Sequence, residues 1–330
     1  MAHELEIGSD GQAKMFFVGN EVPWHGLGVK LDSPPTIKEA ITCAGLDWTV
    51  ERKRLVMADG GREVPAHATV RTSDGAILGV VGMDYHVLQN INAFQWFQPW
   101  LDSKQVTLET AGCLKGGCHV WVLARINSDP VEVVKGDAII RYVLLSNSHD
   151  GSRMVRAGFT GTRVVCWNTV SAAITSKQSK LLKVRHTENA DEALTKIRES
   201  MSIADRNFSA TIEQMRAMAR KGVTKETLAS YVKAVFKPKP VSNDPAEEMT
   251  EAQEEKCERL ISNIIPLFEK GRGNDLPGVK GTVWGLYNAV TEYLTWERGR
   301  SNDNRMTSLW IGDGQAVSQR AFDEARKMAA

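Results

Sequence analysis

From Trp48 to about Val170 the chain is built of short runs rich in β-branched residues, in which apolar positions alternate with polar ones or follow without interruption. This pattern predicts strands in "WTVERKRLVM", "AHATVRT", "AILGVV", "VTLETAGCL", "HVWVLARI", "AIIRYVLLSN" and "RMVRAGFTGTRVVC". The turn signals "ADGG", "SDG", "KGG" and "HDGS" fall between them and suit reversals between antiparallel neighbours. One helix interrupts the run. In "NINAFQWFQPWL", Ile91, Phe94, Phe97 and Leu101 share a face that would lie on a sheet, with Pro99 kinking the helix near its end.

Past Ser171 the spacing of apolar residues becomes helical. "NADEALTKIRESMSIADRNFSATIEQMRAMARK" reads as one long amphipathic stretch, and Gly222 with Thr224 marks a stop and a new N-cap ahead of "KETLASYVKAVF". The tail from Gly281 reads as two helices joined by a polar loop. At the other end, "GNEVPWHGLGVKLDSPP" predicts an irregular surface arm anchored by Trp24. Thr36 and Glu39 then form a capping-box pattern at the start of a short helix. The expected fold is α+β: an antiparallel β-sheet crossed by a helix, followed by a mostly helical C-terminal region. Residues 1–185 would form the α+β domain with its irregular arm. Residues 186–330 would be mostly helical, with a Pro-rich and then acidic segment near 237–256.

Composition alters this picture only locally. The formal net charge of the 330 residues is +1, so any electrostatic function has to reside in a patch. No apolar run approaches the roughly 18 to 20 residues of a membrane span, and the N-terminus lacks a basic and then apolar leader, which leads to the expectation of a cytoplasmic protein. Five cysteines at dispersed positions suit reduced, buried thiols.

One patch does stand out. Between Gly151 and Thr187 there are seven basic side chains, Arg153, Arg156, Arg163, Lys177, Lys180, Lys183 and Arg185, and no acid. Phe159, Trp167 and Asn168 lie among them. Basic groups follow a phosphate backbone and aromatic rings stack on bases, so this combination suits single-stranded nucleic acid. Strand alternation does not by itself bring all the arginines to one surface, and a buried Trp167 beside solvated lysines is the competing interpretation.

Three other groups carry residue types suited to chemistry. In "SNSHDGS", His149 and Asp150 with Ser148 and Ser152 supply the residue types of a hydrolase or nuclease, but adjacent residues on an extended chain point apart and Asp-Gly also favours a turn. Cys113, Cys118 and His119 lack the second ligand pair of a structural zinc site, so no metal is expected. "GRGNDLPGVKGT" departs from the phosphate-loop pattern because Lys280 follows Val279 with no glycine immediately before it, and no strand leads in.

Four stretches in order, "VPWHGLG", "YHVLQNINAF", "NSHDGS…RVVCWNT" followed by "VRHTENA", and "WGLYNAVTEYLTWERG…NDNRMTSLWIGDG", resemble the phage/plasmid-like protein family known as domain of unknown function 932. The resemblance implies a gene carried by phages, prophages or plasmids and brings no established activity. A remoter similarity, to Rad-type single-strand annealing proteins, implies a curled antiparallel sheet with a basic groove, assembly into an oligomer, and annealing without nucleotide or metal. It would set Trp167 and Asn168 beside the groove. The expectation is therefore a DNA-binding accessory protein without a cofactor. The rivals are an enzyme centred on His149 and Asp150 and a protein that binds a host factor.

Overall fold

The computed structural model describes residues 6–8, 11–19, 28–163, 182–201, 204–236, 250–299, 308 and 313–330. Its centre is an eight-stranded sheet made of β1 (Met15–Val18), β2 (Val29–Leu31), β6 (Val106–Leu114), β7 (His119–Ile126), β8 (Val131–Val134), β9 (Asp137–Ser148), β10 (Val155–Arg163) and β11 (Leu182–Val184). The strand order is β11-β10-β9-β7-β6-β1-β2, with β8 also on β9, and every pairing is antiparallel except β1 with β2. Strands β3 (Val50–Val56), β4 (Glu63–Arg71) and β5 (Ile77–Gly82) form a separate antiparallel sheet of three.

Alternation sends Val120 and Val122 of β7 to one face of the main sheet and Trp121 and Leu123 to the other, and both faces are covered. That double burial is why "HVWVLARI" reads as a continuous apolar run. The first face packs against α1 (Ile37–Cys43), α2 (Asn90–Gln95), α3 (Gln98–Asp102) and α4 (Ala190–Ser200), together with Val50 and Leu78 of the small sheet. The second packs against α5 (Ala204–Arg220), α6 (Lys225–Phe236), α7 (Glu251–Lys270), α8 (Val283–Glu292) and α9 (Asp313–Ala329). The C-terminal helices therefore share their core with the sheet. Trp284 of α8 ties the two layers together, its fully buried indole N–H donating to Asp137 Oδ2 at 2.7 Å at the start of β9.

Local signals were good guides. Thr36 and Glu39 form the expected capping box, with Glu39 N–H donating to Thr36 Oγ1 at 3.3 Å and Thr36 N–H to Glu39 Oε2 at 2.8 Å. "KGG" reverses the chain between β6 and β7, with Lys115, Gly116 and Gly117 all at positive φ, a conformation that favours glycine.

Non-local features depart from the sequence reading. The arm before residue 32 is not wholly irregular: β1 enters the main sheet beside β6 and fully buries Met15 and Phe16. The segment 190–220 is two helices rather than one, and they lie on opposite sides of the sheet: Leu194 belongs to one core and Ile212 to the other. Pro99 does not kink the end of a helix but sits in the first turn of α3, where its missing N–H costs nothing. The break at 96–97 also rotates the expected face, so that Phe94 and Phe97 are buried while Ile91 is exposed.

The small sheet leans on the β9–β10 turn through Gly79. A Cβ there would lie 2.5 Å from Asp150 Cα and 2.8 Å from its Cβ. Gly79→Ala is expected to force the small sheet away from the turn and to lower stability by about 1–3 kcal/mol, the usual cost of overpacking. A chemical denaturation midpoint equal to that of the parent would contradict this contact.

Candidate functional site

The polar end of the main sheet gathers residues from four parts of the chain around the β9–β10 turn. Asp150 is its hub. Its carboxylate accepts hydrogen bonds from Ser152 N–H at 2.9 Å, from Ser152 Oγ at 2.6 Å and from Ser148 Oγ, and its second oxygen lies 3.3 Å from His119 Nε2 on β7. Burial pushes the Asp150 carboxyl up, but these bonds together hold it well below the usual carboxylate range.

His149 faces another way. Asn90 Nδ2 donates to the Leu46 and Trp48 carbonyls at 3.1 and 3.3 Å, which orients its Oδ1 to accept from His149 Nε2 at 2.9 Å. The His149 backbone is held as well, its N–H donating to Cys118 O at 2.7 Å and its carbonyl accepting from Thr69 Oγ1 at 2.7 Å. Full burial pulls the imidazole down to about 3, with His186 adding to the effect and Asp150 opposing it, so the ring is neutral at physiological pH. Its buried Nδ1 has no hydrogen-bond partner among the described residues.

Tyr85 and His186 close the cluster. The Tyr85 hydroxyl donates to Ser148 O at 2.5 Å, and its ring stacks on His186 with centroids 4.5 Å apart. His186 in turn exchanges bonds with His86, through His86 N–H to His186 O at 2.9 Å and His186 Nδ1 to His86 O at 3.2 Å. Burial lowers the His186 pKa against the pull of the His86 and Arg153 carbonyls.

This geometry does not assemble a nucleophile relay. Both Asp150 and Ser152 meet the same nitrogen of His119, Nε2, at 3.3 and 3.1 Å, whereas a relay places acid and nucleophile on opposite ring nitrogens. Among the described residues no hydrogen bond joins His149 to Asp150. Adjacent in sequence, they point to different partners. Cys113 Sγ lies 3.4 Å from Glu6 Oε2, Cys118 Sγ lies 3.1 Å from Leu78 O and His119 turns to Asp150, so these three do not converge. No group of three metal-ligating side chains occurs among the described residues.

The basic candidates lie along the adjoining edge. Arg156 of β10 pairs in register with Lys183 of β11, which places both on one face at the end of the sheet, and Arg185 follows β11. Arg156 is half-buried. Its Nη1 donates to Gln315 Oε1 of α9 at 3.3 Å, its Nε has no partner among the described residues, and burial followed by the nearby charge of Arg153 lowers its pKa. Val155 and Ala157 point into the opposite core, so the arginines of β10 do not all share a surface with the apolar positions. Arg163 closes β10 opposite Ile139 and is described in its backbone alone. Trp167, Asn168, Lys177 and Lys180 lie outside the described residues, as does Cys166.

The sequence reading missed Tyr85 and Asn90 and gave His119 and His186 no partner. A signal was present. Tyr85 and Asn90 belong to "YHVLQNINAF", Ser148 to Ser152 to "NSHDGS" and His186 to "VRHTENA", and the structure brings these three motifs into one cluster. Among the described residues no helix is long and apolar enough to cross a membrane. No curated protein and no solved structure matches the chain. Residues 77–310, which contain Tyr85, Asn90, His119, the turn from Ser148 to Ser152 and His186, match the family described as Domain of unknown function (DUF932), and the chain belongs to that family.

Proposed function

We propose that the protein binds single-stranded nucleic acid along the β10–β11 edge, as a DNA-binding accessory protein of a phage, prophage or plasmid acting in the bacterial cytoplasm. The observation that carries the reading is the Arg156 and Lys183 pair at the sheet edge, followed by Arg185. Among the described residues, none of the three has a carboxylate partner. Elsewhere in the molecule arginines do find acids: Arg71 binds Glu6 and Asp74 at 2.8 and 2.7 Å, and Arg216 binds Glu213 at 2.6 Å. A half-buried guanidinium with a like charge close by gains most from an incoming anion, and phosphate matches its planar donors.

The connection between β10 and β11 also carries Lys177, Lys180, Trp167 and Asn168, so the acid-free stretch begins and ends at this edge. Basic groups would contact phosphates there, with Trp167 and Asn168 touching bases. Strand annealing by an oligomer, as in Rad-type proteins, is the activity this reading implies. In it the Asp150 and His149 cluster has a structural task, fixing the turn from which β10 and its arginines start.

Arg156→Ala is expected to weaken binding to every oligonucleotide sequence by a similar factor and to reduce the slope of log K against log salt by about one. Unchanged affinity and slope in a titration of the variant would remove Arg156 from the contact surface.

A further inference from the structure

The β10–β11 edge carries an apolar side chain among its cations. Met154, the residue before β10, is 41% exposed, while its neighbour Val155 is fully buried. Val155 pairs with Val184 and Arg156 with Lys183. Continued by one step, this register sets Met154 opposite Arg185, and the contact of the His186 ring with the Arg153 carbonyl, one step further, agrees with it. Alternation then places Met154, Arg156, Lys183 and Arg185 on one face and Val155, Ala157, Leu182 and Val184 on the other. Burial follows the same division, with Lys183 and Arg185 exposed and Val184 between them buried. Helix α9 borders the patch through Gln315, which accepts from Arg156.

Three cations draw a polyanion to this face, and phosphates leave the thioether in their midst unmatched. The counterpart of Met154 has to be apolar and attached to the same anion. An unpaired base meets that requirement, because its open π-face lies one sugar away from the phosphate. A duplex does not: its base faces are stacked inside the helix, and a protein surface meets only phosphates, sugars and base edges. Methionine suits the contact, since its unbranched chain adapts to differently shaped rings and its polarizable sulfur is attracted to aromatic edges.

We propose that Met154 is a base-contacting residue of the β10–β11 edge and gives that edge its preference for unpaired strands over duplex. The inference rests on the nucleic-acid reading of this edge and adds to it a residue that discriminates by base exposure, where Arg156, Lys183 and Arg185 respond to charge.

The test is titration of the full chain with a labelled single strand, with its duplex, and with a strand of abasic sites of the same length, which keeps the phosphates and removes the rings. Met154→Ala is expected to weaken single-strand binding by about two- to tenfold, the range of a methionine sulfur against an aromatic ring. Its affinities for the duplex and the abasic strand, its salt slope and its thermal midpoint are expected to match those of the wild type. Met154→Phe, which offers a ring in place of the thioether, is expected to keep the single-strand preference. Leu182→Ala is the control: Leu182 is 39% exposed at the same edge but on the opposite face, and its loss is expected to change none of the three affinities. An equal loss on all three probes in Met154→Ala would overturn the inference, since it would reflect a general disturbance of the edge. So would unchanged single-strand binding in Met154→Ala alongside weakened binding in Arg156→Ala, a result that would leave the nucleic-acid reading standing. A wild type that binds none of the three probes would remove both.

Discussion

Lowering the pH from 6.5 to 4.5 is expected to destabilise the protein by about 2–3 kcal/mol through His149 alone. An unfolded histidine titrates near 6.5, whereas burial holds His149 down to about 3 in the folded state. Between those values the unfolded chain takes up a proton that the folded chain refuses, and each pH unit costs about 1.4 kcal/mol. The contribution is complete above the unfolded pKa and is lost as the pH falls towards the folded one. His186 is shifted in the same direction and adds to the loss. Asp150 has the same sign in a lower window: its folded pKa is depressed as well, so its contribution largely persists from pH 6.5 to 4.5 and is lost at lower pH. Urea midpoints at pH 6.5, 5.5 and 4.5 measure the slope. His149→Gln retains a donor for Asn90 and removes the titration, and is expected to be less stable at neutral pH but flatter with pH. An equal slope in the variant would locate the acid sensitivity elsewhere.

Trp284→Ala is expected to cost about 3–5 kcal/mol, the range for deleting a fully buried aromatic side chain. The indole is completely buried, stacks on Tyr287 with centroids 5.5 Å apart, and supplies Asp137 Oδ2 with a hydrogen bond at 2.7 Å. Truncation opens a cavity and also withdraws a donor from a buried carboxylate. Asp137 opens β9, the strand between β7 and β10, so the damage should reach the sheet. Hydrogen exchange is expected to show faster amide exchange in both α8 and β9 of the variant. Loss confined to the helices would mean that the C-terminal layer is held without this link. Trp284→Phe, which keeps most of the volume and loses the donor, is expected to fall between the parent and the alanine variant.

Elements specified by neighbours in sequence were legible. Thr36 and Glu39 announce a helix because both halves of the capping box are local, and Lys115-Gly116-Gly117 announces a hairpin because positive φ is a property of the residues themselves. The helix starting after Thr224 is likewise signalled by its cap, with Thr227 N–H donating to Thr224 Oγ1 at 3.3 Å. What failed depended on distant partners. Leu194 and Ile212 keep helical spacing in one amphipathic stretch, and nothing in that spacing says that they face different sides of a sheet. The apolar run at Met15 needs β6, almost a hundred residues on, to be recognised as a strand: Met15 pairs with Gly112.

The same limit governs the site. "SNSHDGS" was legible as a turn because Asp150 caps it locally through Ser152. The partner of His149 is Asn90, 59 residues away, and the hydroxyl on Ser148 O comes from Tyr85, 63 residues away. Adjacent His and Asp suggested chemistry between them, but successive side chains of an extended chain diverge, and the acid found His119 instead. The basic stretch was legible as composition. Its register, with Arg156 beside Lys183, required the pairing of β10 with β11.

The central claim is tested most directly by fluorescence anisotropy of the full-length protein with a labelled single-stranded oligonucleotide and with its duplex, across a salt series. The account predicts tighter binding of the single strand, with an affinity that falls steeply as salt rises. No binding of either at about 50 mM salt, where phosphate contacts are strong, would contradict it.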